Sequence, residues 1–291
     1  MERFIWHYNK VSCTLLFFYF LLLGYSFQVD CSSPFHHFSF KTTHSCPPEQ
    51  SLALLQFKNN TSVRSANYSF CNEENSSPKT NSWTEGTDCC SWDGVTCDNV
   101  TGNVVGLDLY SSCSWLVGTI DDNSTLFHLS HLQSLNLAYS NFLGSQLSPE
   151  FGRLKELTYL NLSASNFGGL VPHEMSHLSK LTHLVISFCV LTIEQKTFDL
   201  LASNLTKLSL LHLGATNMSL IKPFSLLNLS STMTDLDLGG TRIKGNFPDD
   251  IFRLPNLQIL FLNLNSQLTG YLPKSNWSSP LRELDLLSVI S

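Results

Sequence analysis

Two carboxylate pairs, Asp235/Asp237 and Glu283/Asp285, have the spacing best suited to acid–base chemistry in this sequence. Side chains two apart on an extended strand share a face at about 7 Å, a separation such chemistry can use. Neither pair comes with an aromatic platform or an evident cleft, so a solvated strand face accounts for both. His128 and His131 are three apart and could share a helical face, but Leu129 and Leu132 alternate with them and place them on a rim. His36-His37 has no further ligands around it and reads as solvated loop. The chain contains no Gly-x-Ser-x-Gly, no phosphate-binding glycine loop and no His-Glu-x-x-His. The residues point away from an enzyme and toward no metal or cofactor.

Cysteine chemistry is more promising. In Asp88-Cys-Cys-Ser-Trp-Asp-Gly-Val-Thr-Cys97, Cys90 and Cys97 are near enough to close a tight loop, and a Cys46–Cys89 bridge would tie a preceding helix to it. On a chain-entropy estimate the short bridge contributes about 2.5 kcal/mol and the long one about 4 kcal/mol. A zinc site lacks its second close Cys/His pair. Spacing alone leaves connectivity open, and Cys31, Cys71 and Cys113 have no assignable partner. Cys189 reads as a buried thiol.

The elements that position these groups are set by leucines. A pair two apart recurs as Leu107/Leu109, Leu135/Leu137, Leu160/Leu162, Leu184/Ile186, Leu211/Leu213, Leu236/Leu238, Leu260/Leu262 and Leu284/Leu286, with successive units 24 to 28 residues apart. On a strand the pair faces one way, while neighbours such as Tyr159, Asn161 and Ser163 face the other. Three residues beyond the second leucine stand Ser112, Ser140, Ser165, Cys189, Thr216, Thr241 and Asn265, which can hydrogen-bond where the chain turns inward. Gly-x-x-Pro endings follow at Gly169, Gly245 and Gly270, and are missing after Ile186 and Leu213, where curvature should be irregular. One coil cannot shield its leucines, but stacked coils bury each at roughly 1.5–3 kcal/mol. The fold class is an α/β solenoid, a leucine-rich-repeat superhelix with a disulfide-bonded N-terminal cap.

The chain of 291 residues divides accordingly. Residues 1–26 read as a signal peptide: Arg3 and Lys10 precede the apolar stretch 11–23, too short to span a bilayer comfortably, and Gly24-Tyr-Ser26 supplies small residues for cleavage. Residues 27–45 form a leader, 46–103 the cap, and 104–291 about eight repeats, the last incomplete. In the cap, Pro47, Pro48 and Glu49 suit a helix start, with Leu52 and Leu55 on one face, and 59–82 reads as polar surface loop. Net charge is −6 with no basic cluster, which argues against nucleic acid and anionic membrane surfaces. Sequons at Asn67, Asn75, Asn99, Asn123, Asn161, Asn204, Asn217, Asn228 and Asn276, together with the overlapping Asn59/Asn60, agree with a secretory route.

Three stretches resemble a known family. Leu52-Ala-Leu-Leu-Gln-Phe-Lys58, the double-cysteine segment 88–97 and Gly102-Asn-Val-Val-Gly-Leu-Asp-Leu109 are similar to plant leucine-rich-repeat receptor-like proteins. Asn123-Ser-Thr-Leu-Phe-His-Leu-Ser-His-Leu132 and Glu174-Met-Ser-His-Leu-Ser-Lys-Leu181 resemble the Cf-type disease-resistance group. The resemblance covers roughly residues 45 to 291 and implies the Cys46–Cys89 and Cys90–Cys97 pairing. It further implies a plasma-membrane receptor that detects pathogen molecules outside the cell, with one span and a short tail, signalling through partner receptor-like kinases. No membrane span is read within this chain, which stops inside its eighth repeat. It is therefore expected to be the front of such a receptor, a truncated non-functional fragment, or a short form secreted to the apoplast. A secreted inhibitor of a microbial wall-degrading enzyme is the alternative, although the cysteine-bearing closing cap of such inhibitors is not seen after Ser266.

For a protein or peptide ligand the outward strand positions are the expected contacts. Asp108, Asn136, Asn161, Val185, His212, Asp237, Phe261 and Asp285 form a central row, and Tyr110, Tyr159, His183, Asp235, Ile259 and Asn263 are neighbours. Asp108, Tyr159, His183, His212, Asp235, Asp237, Ile259 and Phe261 are the ligand-facing candidates, polar groups around aromatic anchors. Phe261 is expected to be exposed beside Ile259. A glycan on Asn161 would obstruct this face.

Overall fold

Leu-x-Leu makes a strand only three residues long, because the turn that follows must carry the chain back into the core. Seven such strands lie parallel to a five-residue first one, Val104–Asp108: Ser134–Asn136, Tyr159–Asn161, His183–Val185, Leu210–His212, Asp235–Asp237, Ile259–Phe261 and Glu283–Asp285. Val95–Cys97 pairs antiparallel with the first and completes a nine-stranded sheet. The structure is a computed structural model and describes residues 45–65, 71, 77–273 and 278–289. The expected signal peptide, the leader apart from Ser45, and Asn67, Asn75 and Asn276 lie outside the described residues.

Register puts leucine on leucine. Leu107, Leu135, Leu160, Leu184, Leu211, Leu236 and Leu260 are aligned partners and all buried, whereas Leu284 and Leu286 are half-buried. Phenylalanines thread the interior beside them, Phe142 stacking on Phe167 at 4.7 Å and Phe151 edge-on to Phe127 at 5.2 Å. Coils pack tightly enough that a Cβ on Gly152 would collide with the Glu174 carbonyl.

Two side-chain ladders satisfy backbone that the short strands leave unpaired. At the strand starts, the hydroxyls of Thr158, Thr182, Ser209 and Thr234 each donate to a carbonyl of the preceding coil, at 2.8–3.1 Å. At the inward turns, Ser165 donates to Leu137 O at 2.6 Å, Cys189 to Leu162 O at 3.2 Å, Thr216 to Ile186 O at 3.3 Å and Asn265 to Leu238 O at 2.8 Å. Ser112 was expected in this ladder but is exposed, because the chain there feeds Cys113 into the core instead. Ser140 is buried at its ladder position, yet its Oγ has no partner.

The side opposite the sheet is built mainly from one-turn 3-10 segments, such as Pro149–Arg153 and Asp249–Arg253. Coil four differs: Val190–Thr192 pairs with Gly168–Leu170 where the Gly-x-x-Pro ending is missing, and an α-helix, Gln195–Asn204, then takes the place of the 3-10 segment. Thr197, Phe198, Leu201 and Ala202 supply its buried face. His128 and His131 are both exposed. Among the described residues no helix is long and apolar enough to cross a membrane.

The cap helix runs Pro48–Asn59. Its buried face is Gln50, Ala53, Leu54 and Phe57, while Leu52, expected inside, is 55% exposed and Leu55 is half-buried. A buried glutamine explains the rotation: Gln50 Oε1 accepts from Val104 N at 2.7 Å and its Nε2 donates to Asn103 Oδ1 at 2.7 Å, locking the helix onto the first coil. Cys46 is bonded to Cys89 and Cys90 to Cys97, each with Cα atoms 5.5 Å apart. Trp83 and Trp92 stack at 5.6 Å beneath them. The 59–82 stretch is not simply a loop. Thr61–Ser65 pairs antiparallel with Ser114–Gly118, and Cys71 is bonded to Cys113, two cysteines to which the sequence assigned no partner. Val63 is the one apolar residue this strand turns toward the core, too little to carry a strand periodicity, so the pairing shows only in three dimensions.

Candidate ligand-binding face

The solvent face of the sheet is tiled by the residues between and beside the leucines. Their first constraint is structural. Asp108, Asn136, Asn161, Asp237 and Asp285 each accept, through one side-chain oxygen, a hydrogen bond from the backbone nitrogen two residues on, at 2.8–3.1 Å. These Asx turns bind the end of the strand and explain why Asp and Asn recur there. Val185, His212 and Phe261 occupy the same row without that bond.

Several candidates have further partners. Asp108 Oδ2 pairs with Lys79 Nζ of the cap at 2.9 Å, which commits it to the cap junction. Tyr159 and His183 are aligned across adjacent strands with ring centroids 5.8 Å apart, and His183 Nδ1 meets Thr182 Oγ1 at 2.8 Å. His212 Nε2 lies 2.9 Å from Asp235 Oδ1, so coils five and six share a His–carboxylate contact. Ile259 and Phe261 stand on coil seven, half-buried; Phe261 is less exposed than the sequence suggested, lying on a strand paired on both sides. Asn161 donates from Nδ2 to Tyr159 Oη at 3.3 Å on the same face. The sheet thus brings Tyr159, His183, His212, Asp235, Asp237, Ile259 and Phe261 into one continuous patch over coils three to seven, while Asp108 stands apart.

One row escaped the sequence. Two residues after the second leucine, Tyr139, Ala164, Phe188, Ala215, Gly240, Leu264 and Ser288 all have positive φ, between 51° and 69°. From Tyr139 to Leu264 each backbone N–H donates to a carbonyl of the next coil at 2.7–2.9 Å, which holds even bulky residues in a conformation costing roughly 1–2 kcal/mol. Tyr139, Phe188 and Leu264 are more than 60% exposed there, an apolar rim beside the patch. With glycine at only one of the seven positions, no glycine pattern signalled it.

The cap matches the leucine rich repeat N-terminal domain over residues 47–98. Receptor-like protein 9DC1 of Solanum pimpinellifolium is 43% identical over 275 residues, covering 92% of this chain and 30% of the relative. The chain resembles the plant leucine-rich-repeat receptor-like proteins, the Cf type among them. Receptor-like protein Cf-9 of the same species is 42% identical over 81% of this chain and 28% of its own length, and receptor-like protein 6 of Arabidopsis thaliana 38% over 86% and 26%. The chain spans about 30% or less of the length of those relatives. In structure it is similar to PEPR1 in the PEPR1–AtPEP1 crystal structure, with TM-score 0.59 and 26% identity over 78% of this chain and 29% of that one. The Arabidopsis receptor kinase HAESA ectodomain, crystallised with an IDA peptide hormone ligand, shares the fold at TM-score 0.50 and 23% identity, over 79% of this chain and 44% of its own.

Proposed function

We propose that this chain is the extracellular recognition module of a plant immune receptor-like protein, and that it binds a pathogen-derived or other peptide ligand across the sheet face of coils three to seven. The observation that carries this reading is the set of positions released from structural duty. Val185, His212 and Phe261 make no Asx turn, and with Ile259 beside Phe261 they lie half-buried among carboxylates and aromatic rings. Aromatic anchors within a polar surround are what a peptide-recognising surface uses. PEPR1, the structural relative above, was crystallised as a complex with AtPEP1, and the Cf-type relatives are receptor-like proteins. Signalling through partner receptor-like kinases and a plasma-membrane setting belong to the same proposal.

The test is peptide selection on the full secreted chain with random phage-displayed peptides. Recovered peptides are then measured on His212→Ala and Phe261→Ala. On the order of tenfold weaker binding to either variant is expected, the usual cost of truncating an anchor. Peptides bound equally by wild type and both variants would move recognition off this face.

A further inference from the structure

Coil seven presents an apolar pair between two acidic ones. Ile259 is aligned with Asp235 on one side and Glu283 on the other, and Phe261 with Asp237 and Asp285. Neighbouring strands are about 4.8 Å apart, so the four carboxylates bracket the two apolar side chains within roughly 10 Å across the sheet. Asp235 accepts from His212, and Asp237 and Asp285 each use one oxygen for an Asx turn. Each keeps a second oxygen without a protein partner among the described residues, and Glu283 is exposed and unpaired there. Ion pairs elsewhere bind Lys79, Arg153, Lys180 and Arg253, and among the described residues neither Arg242 nor Arg282 forms one with these carboxylates. The strand positions aligned with Ile259 and Phe261 on coils six and eight carry no lysine or arginine, and exposed Arg282 stands one residue before Glu283.

An apolar strip walled by unneutralised carboxylates is complementary to one kind of segment. We infer that coils six to eight recognise an extended peptide in which an apolar side chain is flanked by lysine or arginine. This rests on the peptide-recognition reading above and specifies its ligand. Such a peptide lying along the solenoid sets its apolar residue on Ile259 and Phe261, and its long basic side chains reach the carboxylates on either side. Leu264, 62% exposed at the end of the same coil, extends the apolar strip. Asp237 and Asp285 have a suitable control built into the chain, since Asn136 and Asn161 make the identical turn. Asparagine there removes charge and keeps the fold.

The experiment compares peptides selected from the random phage library on the full chain. Their binding is measured on wild type, on Phe261→Ala, and on the triple variant Asp237→Asn/Glu283→Gln/Asp285→Asn, at low and high salt. Expected are peptides enriched in an apolar residue between lysines or arginines, bound on the order of tenfold more weakly by the triple variant and weakened by salt. Peptides that need Phe261 but are neutral or acidic, and that ignore the triple variant, would overturn the charge inference while leaving the recognition face intact. If no selected peptide depends on Phe261 or His212, the inference and the function it rests on both fall.

Discussion

Asp237 Oδ1 accepts a hydrogen bond from the backbone N–H of Gly239 at 2.8 Å, and that single contact separates two roles of the same side chain. One oxygen closes the strand, and the other has no hydrogen-bond partner among the described residues. Replacing Asp237 by Asn should leave the denaturant midpoint nearly unchanged, whereas Asp237→Ala should cost about 1 kcal/mol through the lost turn. Chemical denaturation of the two variants side by side separates them. Equal losses would mean that the charge, not the turn, stabilises the strand.

Ser140 and Ser165 hold the same position in adjacent coils and should respond oppositely to alanine. Ser165 Oγ donates to Leu137 O, so Ser165→Ala strands a buried carbonyl at a cost of about 1–2 kcal/mol. Ser140 Oγ is buried without a partner, and Ser140→Ala should be neutral or stabilising. Thermal unfolding reads the difference in sign.

The third bridge should matter as much as the cap's long one. Cys71 and Cys113 are 42 residues apart, which on the chain-entropy estimate gives about 4 kcal/mol, against about 2.5 kcal/mol for Cys90–Cys97, 7 residues apart. Cys71→Ser/Cys113→Ser should therefore lower stability more than Cys90→Ser/Cys97→Ser. Non-reducing peptide mapping of the wild type is expected to recover the 71–113 pair.

Burial raises the pKa of the Cys189 thiol, against weaker lowering by backbone hydrogen bonds. The folded thiol stays protonated at pH values where the unfolded one ionises. Stability should be unaffected by this group below the unfolded pKa, and should fall as pH rises through that value toward the higher folded one. Cys189→Ser should flatten the fall. Iodoacetamide should label Cys189 in denaturant and not in the native chain.

Glycan mapping bears on the recognition face. Asn99, Asn123, Asn204 and Asn228 are exposed and are expected to carry sugar, whereas Asn161, half-buried on the sheet and donating to Tyr159, is expected to be bare. A sugar found at Asn161 would close the face around coil three and shift any ligand toward coils five to seven.

The leucine spacing by itself determined the solenoid, its coils and which residues face out, because a two-residue alternation repeated at a near-constant interval has one way to bury its leucines. The turn ladder was legible at Ser165, Thr216 and Asn265 for the same reason: a buried turn needs polar side chains. Tertiary structure decided the rest. Gln50 turned the cap helix away from Leu52 by binding the first coil, and Thr61–Ser65 became a strand only because Ser114–Gly118 offered an edge. His212 met Asp235 across coils, a contact between residues 23 positions apart that periodicity does not encode. The positive-φ row that displays Tyr139, Phe188 and Leu264 was likewise set by the next coil's carbonyls. Spacing along a chain fixes which way a side chain points, but which groups meet depends on the stacking of one coil against another.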